Sequence, residues 1–113
     1  MISLSERKFQ SALDRAMADL SDALKKCLKD IDIIIYEIAE KSDLLGTNVE
    51  KELDLLSLYE IVPISDGYHN ERNLRGQLTL FKRALEAICE EESDLVPQLT
   101  TILEEELSYR PSL

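Results

Sequence analysis

Between residues 93 and 110 the chain reads SDLVPQLTTILEEELSYR, and its apolar residues fall at Leu95, Val96, Leu99, Ile102, Leu103 and Leu107. Steps of three and four draw one apolar stripe along a helix. A stripe of that kind has to be buried against another layer, so this segment obliges the rest of the chain to supply one. Ser93 is placed to cap the helix start, and Asp94 complements the positive end of its dipole. Pro97 falls in the first turn, where a missing N–H does little harm, and Pro111 ends the element. Glu104, Glu105 and Glu106 come late, toward the negative end, where carboxylates are mildly unfavourable. Glu104 and Ser108 are four residues apart and project from one face.

The remaining chain offers a second amphipathic stretch and three β-type runs. Ser3 and Glu6 have the spacing of a capping box, and Phe9, Leu13, Ala16 and Leu20 follow at helical period. Ser21 can restart a helix containing Leu24, Cys27 and Leu28. From Ile31 to Tyr36 the residues are β-branched or aromatic and nearly continuous, the composition of a strand buried on both faces. Residues 39–54 are charged and turn-like around Gly46, with room for a short helical turn near residues 49–53. Residues 55–63, LLSLYEIVP, read as a second strand that Pro63 ends or places at an edge. A loop over residues 64–76 contains Asp66 and His69. Residues 77–82, QLTLFK, form a short third strand, and residues 84–90 a turn of helix leading into the last one. The fold class this order implies is α+β: a small mixed sheet of three or four strands packed against two main helices, in one domain over residues 1–113.

Charge and composition narrow the functions available. The chain carries 23 acidic against 13 basic residues, a formal charge of −10. That balance argues against nucleic acid and anionic membranes as general partners, because both need basic patches. It suits a basic protein or peptide partner, or none, in a monomer or homodimer. There is no apolar run of about 18 residues, and residues 1–9 lack a signal-peptide core, so a cytoplasmic protein is expected. Cys27 and Cys89 lack CxxC spacing and read as two reduced, partly buried thiols. His69 is the one histidine, and one histidine cannot build a multi-histidine zinc site. Neither a P-loop nor a GxSxG elbow is present.

Two of the β-type runs carry a family likeness. Leu55-Leu56-Ser57-Leu58-Tyr59-Glu60-Ile61-Val62-Pro63 resembles the LLGLYEG-x-P strand of the minimal zincin-like metallopeptidases, and Leu78-Thr79-Leu80-Phe81-Lys82-Arg83 resembles their ITLFRR strand. The final helix follows at the family's spacing, so the resemblance covers roughly the whole chain and implies a zincin-like fold. In the family the last helix carries HExxH, with two histidines as zinc ligands and the glutamate as general base. The matching residues here are Thr101-Ile102-Leu103-Glu104-Glu105-Glu106-Leu107-Ser108. Glu105 stands at the general-base position, Glu104 at the first histidine and Ser108 at the second.

Histidines at i and i+4 reach one zinc together, and the glutamate then takes a proton from metal-activated water. A neutral serine hydroxyl is a poor zinc ligand, and a base without such water has little to act on. The resemblance with its substitutions therefore implies no zinc and no other cofactor. It implies a zincin-like domain without peptidase activity that binds a peptide or protein, with Glu104, Ser108 and Tyr59 as the binding residues and Glu105 as a vestigial base. The alternative is a metal-dependent hydrolase with oxygen-rich ligands, for which Glu104 and His69 are the candidates beside Glu105 and Asp66; hard oxygen donors favour calcium, magnesium or manganese. A third reading is an accessory protein acting by surface contact through exposed Leu44, Leu45 and Ile64.

Overall fold

A computed structural model describes residues 1–63 and 74–108 of the chain. The first long helix, α1 (Glu6–Ala18), starts at Ser5, whose hydroxyl accepts from the Lys8 backbone N–H at 3.2 Å. The cap is therefore two residues later than the Ser3–Glu6 spacing suggests: Leu4 is buried in the core, which leaves Ser5 to turn its hydroxyl onto the helix end. A short second helix, α2 (Asp22–Cys27), is capped by Ser21 as expected, and a 3-10 turn at Leu28–Asp30 carries the chain into the first strand, β1 (Ile31–Tyr36). Two further 3-10 turns, Lys41–Leu44 and Glu52–Asp54, punctuate the long connection to β2 (Ser57–Pro63). Gly46 lies between them at φ +79°, a conformation that a side chain resists.

The third strand, β3 (Leu74–Phe81), runs directly into a short helix, α3 (Lys82–Ala87). After a 3-10 turn at Glu92–Asp94 comes the last helix, α4 (Leu95–Ser108), with Pro97 in its first turn. Asp94, rather than Ser93, organises that start. Its carboxylate accepts from the backbone N–H groups of Glu90 and Glu91 at 3.1 and 3.0 Å, and Ser93 instead donates to Glu91 at 3.4 Å. A charged acceptor makes the stronger hydrogen bond, which is why the aspartate holds the turn.

The sheet has strand order β1-β3-β2, with β1 parallel and β2 antiparallel to β3. β3 is the central strand, and Leu78, Thr79, Leu80 and Phe81 are all buried. The Ile-rich run is the strand expected to be buried on both faces, and it proves to be an outer one: Ile31 is buried, Ile33, Ile34 and Ile35 are half-buried, and Asp32 and Tyr36 are exposed. A continuous apolar run is common to central strands and to edge strands covered on one face, so composition alone does not separate the two.

One face of the sheet packs against the helices. Leu78 and Leu80 join Phe9, Leu13 and Ala16 of α1 and Leu99, Leu103 and Leu107 of α4 in the main core, with Ile33, Ile35 and Tyr59 against its rim. The opposite face has a smaller cluster, in which Phe81, Ala84, Leu55 and Ala39 are overlain by Leu44 and Val49 from the long connection. The architecture is α+β, one mixed three-stranded sheet with helices on one side, as the order of periodic segments implies.

Candidate functional site

The helix that carries the candidate residues buries Leu95, Leu99, Ile102, Leu103 and Leu107. At about 100° per residue, Glu104 and Ser108 fall on the opposite side of the cylinder from that stripe, and both are exposed. Glu105 is exposed as well, whereas Glu106 projects toward the buried side and is half-buried. Glu104 and Ser108 are thus side by side on one helical face, as their spacing requires, with Glu105 on a neighbouring one.

Tyr59 belongs to β2, opposite Leu78 of β3, and so faces the helical layer. Its ring lies across Gly76. A Cβ built on that glycine would sit 2.8 Å from Tyr59 Cζ and closer still to the phenol oxygen. Position 76 is therefore glycine because the tyrosine occupies the space of a side chain. Sequence reading missed Gly76, although a lone glycine at the start of a strand pattern is a recognised sign of close approach. His69 and Asp66, the other metal candidates, lie outside the described residues, as does Ile64. Leu45 is 80% exposed and Leu44 half-buried.

The donor set at α4 does not fit zinc. One carboxylate and one neutral hydroxyl stand four residues apart, where a zincin site needs two imidazoles. Among the described residues no group of three or more His, Cys, Asp or Glu side chains is arranged to hold a metal ion. Two surface hollows lie elsewhere, at the C-terminal end of β1. One of about 220 Å³ is bounded by Glu6, Gln10, Ile35, Tyr36, Glu37 and Lys82, and one of about 430 Å³ by Tyr36, Glu37, Ile38, Glu40 and Asp43.

Away from α4 the charges are organised by structure. Lys82 and Glu86 form a buried ion pair at 3.0 Å across one turn of α3. Glu86 also accepts the Leu4 backbone N–H at 2.8 Å, and the Ile2 N–H reaches the Glu86 carbonyl at 3.1 Å. The N-terminal segment is thereby tied to α3. Arg75 bridges Asp32 with bonds of 3.1 and 3.2 Å and donates to the Lys29 carbonyl. Cys89 is buried and Cys27 half-buried, both as free thiols. Burial pushes the Cys89 thiol above its ordinary pKa of 9.0, with the Asp94 and Glu86 carboxylates adding to the rise and the N-terminal ammonium opposing it.

A mixed three-stranded sheet with a LYE-x-x-P edge strand, packed on one face against α1 and α4, is the architecture of a metallopeptidase-like α+β domain. Comparison with known families bears this out: residues 28–109 match the zincin-like metallopeptidases, and the chain belongs to that family. No curated protein matched the chain. Among the described residues no helix is long and apolar enough to cross a membrane.

Proposed function

We propose that this chain is a zincin-like domain that has given up peptide hydrolysis and acts as a peptide- or protein-binding accessory domain. The observation that carries the reading is the pair Glu104 and Ser108, which stand exposed at i and i+4 on α4 where the family resemblance calls for two zinc-binding histidines. Glu105 keeps the position of the general base, and the donor set around it does not suit the metal that would activate water. The domain needs no cofactor for the binding role.

The walls of the binding site in this proposal are the outer edge of β2 and the exposed face of α4. Among the described residues β3 is the only strand beside β2, and in this reading an extended peptide lies along the other side of β2. Strand addition draws affinity from main-chain hydrogen bonds and specificity from side-chain contacts. Ile61, 51% exposed on the same face as Tyr59, offers an apolar contact, and exposed Glu60, Glu104 and Glu105 favour a basic ligand.

Two measurements test the proposal. Metal content and thermal melts with added zinc, manganese or calcium should give no bound metal and no stabilisation, since a ligand specific for the native state raises the melting temperature. An extended peptide of alternating lysine and valine should perturb the amide resonances of β2, and Glu60→Lys with Glu104→Lys should weaken that binding. Chelator-sensitive cleavage of peptides by the purified chain would overturn the reading, and so would a stoichiometric metal that shifts the melt by several degrees.

A further inference from the structure

The two outer strands of the sheet are finished differently. β2 ends in Pro63 and has Glu60 exposed along it, and prolines and charges are common guards of a sheet edge. β1 has neither device in its middle. Ile33, Ile34 and Ile35 follow one another there, all only half-buried, and Tyr36 is 54% exposed. The one charge in the strand, Asp32, is held by Arg75. Among the described residues β3 is the only strand paired with β1.

Charge is also divided along β1. Lys25, Lys26 and Lys29 are exposed just before it, and Asp22 and Asp30 offset them only in part. Just after it come Glu37, Glu40 and Asp43, beside Glu6 across the smaller hollow. Lys41 and Arg83, the latter 3.4 Å from Glu37, are cations at that end, and Lys82, which also bounds the hollow, is neutralised by Glu86. Among the described residues one end of the strand is net basic and the other net acidic, despite the acidity of the whole chain. A second copy laid antiparallel sets each basic end against an acidic one, and a twofold axis makes the match twice.

We propose that β1 pairs antiparallel with β1 of a second copy about a twofold axis at Ile33, joining two sheets into one of six strands. The register follows from symmetry and charge. Directly opposed residues in an antiparallel pair share a face, so a twofold axis normal to the sheet passes through a residue and never between two. Centred on Asp32, it would set two carboxylates face to face. Centred on Ile34, it would place Ile31 against Glu37 and Asp32 against Tyr36. Centred on Ile33, it places Ile31 opposite Ile35 and Asp32, already held by Arg75, opposite Ile34, and it brings Lys29, in the 3-10 turn just before the strand, toward Glu37 of the other copy, cation toward anion. The joined sheet leaves each β2 on the far side of its β3, away from the new interface, so this inference stands or falls separately from the peptide-binding role.

Sedimentation equilibrium of the full chain at low salt tests it. The expected mass is twice the 12.9 kDa of one chain. Lys29→Glu should weaken the dimer about tenfold or more, because two pairs turn from attractive to repulsive. The exchange Lys29→Glu with Glu37→Lys should restore it. Positions 29 and 37 are exposed, and a thermal melt checks that each variant still folds. A monomer at every concentration up to about 1 mM overturns the proposal. So does a dimer indifferent to Lys29→Glu, or one that the exchange fails to restore, because either result puts the interface on another face.

Discussion

Glu86 on α3 and Glu104 on α4 are both helical glutamates, and they live in opposite surroundings. Glu86 is 4% exposed, and its carboxylate meets the Lys82 ammonium and the Leu4 N–H. Glu104 is exposed on the side of α4 turned away from the core. The buried carboxylate is part of what holds the N-terminal segment to α3, whereas the fold asks nothing of the exposed one. Side chains at 104, 105 and 108 are thus free to change without cost to folding. On the proposed reading, that freedom lets a helix of this family change its metal-binding positions and keep its place in the core.

The largest effect should come from Glu86→Ala, which leaves the Lys82 ammonium buried without its partner and should cost about 3–5 kcal/mol in a denaturant melt. A loss below about 1 kcal/mol would break the contrast with Glu104. Next, Leu103→Ala, on the buried face of the same α4 that exposes Glu104, should cost about 2–5 kcal/mol. Gly76→Ala should cost about 1–3 kcal/mol, since the new methyl displaces the Tyr59 ring; pairing it with Tyr59→Ala should recover part of the loss and would localise the strain. Glu104→Ala and Glu105→Ala should stay within about 0.5 kcal/mol of the parent. Their histidine counterparts sharpen the same point. Glu104→His with Ser108→His should leave the fold intact and give a melting temperature that rises with zinc, which the parent should lack.

The smallest effect is a pH dependence. The Cys89 thiol titrates above 9.0 in the folded chain and at an ordinary value in the unfolded one. Between those values the unfolded chain has released the proton and the folded chain has kept it, so stability falls as pH rises through that window. Melts taken upward from pH 9 should show a decline that is shallower in Cys89→Ala.

Much of this layout was legible in the sequence. The stripes Phe9, Leu13, Ala16 and Leu99, Leu103, Leu107 mark the facing sides of α1 and α4, and those are the residues the core buries. The Ser21 cap and the edge position that Pro63 allows for β2 were equally plain, because each rests on local backbone chemistry. Strand order was not: Ile31–Tyr36 reads as the most buried strand and lies at the edge, while the less apolar run LRGQLTLF takes the centre. Lateral position depends on which strands find one another across the chain, and periodicity has no information about that. Lys82 reads as the end of the third strand and Glu86 as part of the helical turn after it, whereas both lie buried in α3; that burial comes from the distant N-terminal segment. At the candidate site the placement of Glu104, Glu105 and Ser108 on α4 followed from spacing alone, and Tyr59 faces the helices as its strand register dictates.

The order of the strands has a consequence for the birth of the fold. β1 and β2 come first in the chain, and neither pairs with the other; both pair with β3, which is made last. When Pro63 has been synthesised, no rung of the sheet can yet exist, and α1 still lacks the helix that covers it. Ile31 waits for Gly76, a long loop whose closure is opposed by chain entropy. Folding should therefore resemble a single late event set off by the arrival of residues 74–81. On a ribosome the chain should gain protection from proteolysis abruptly, once β3 and α4 have both emerged.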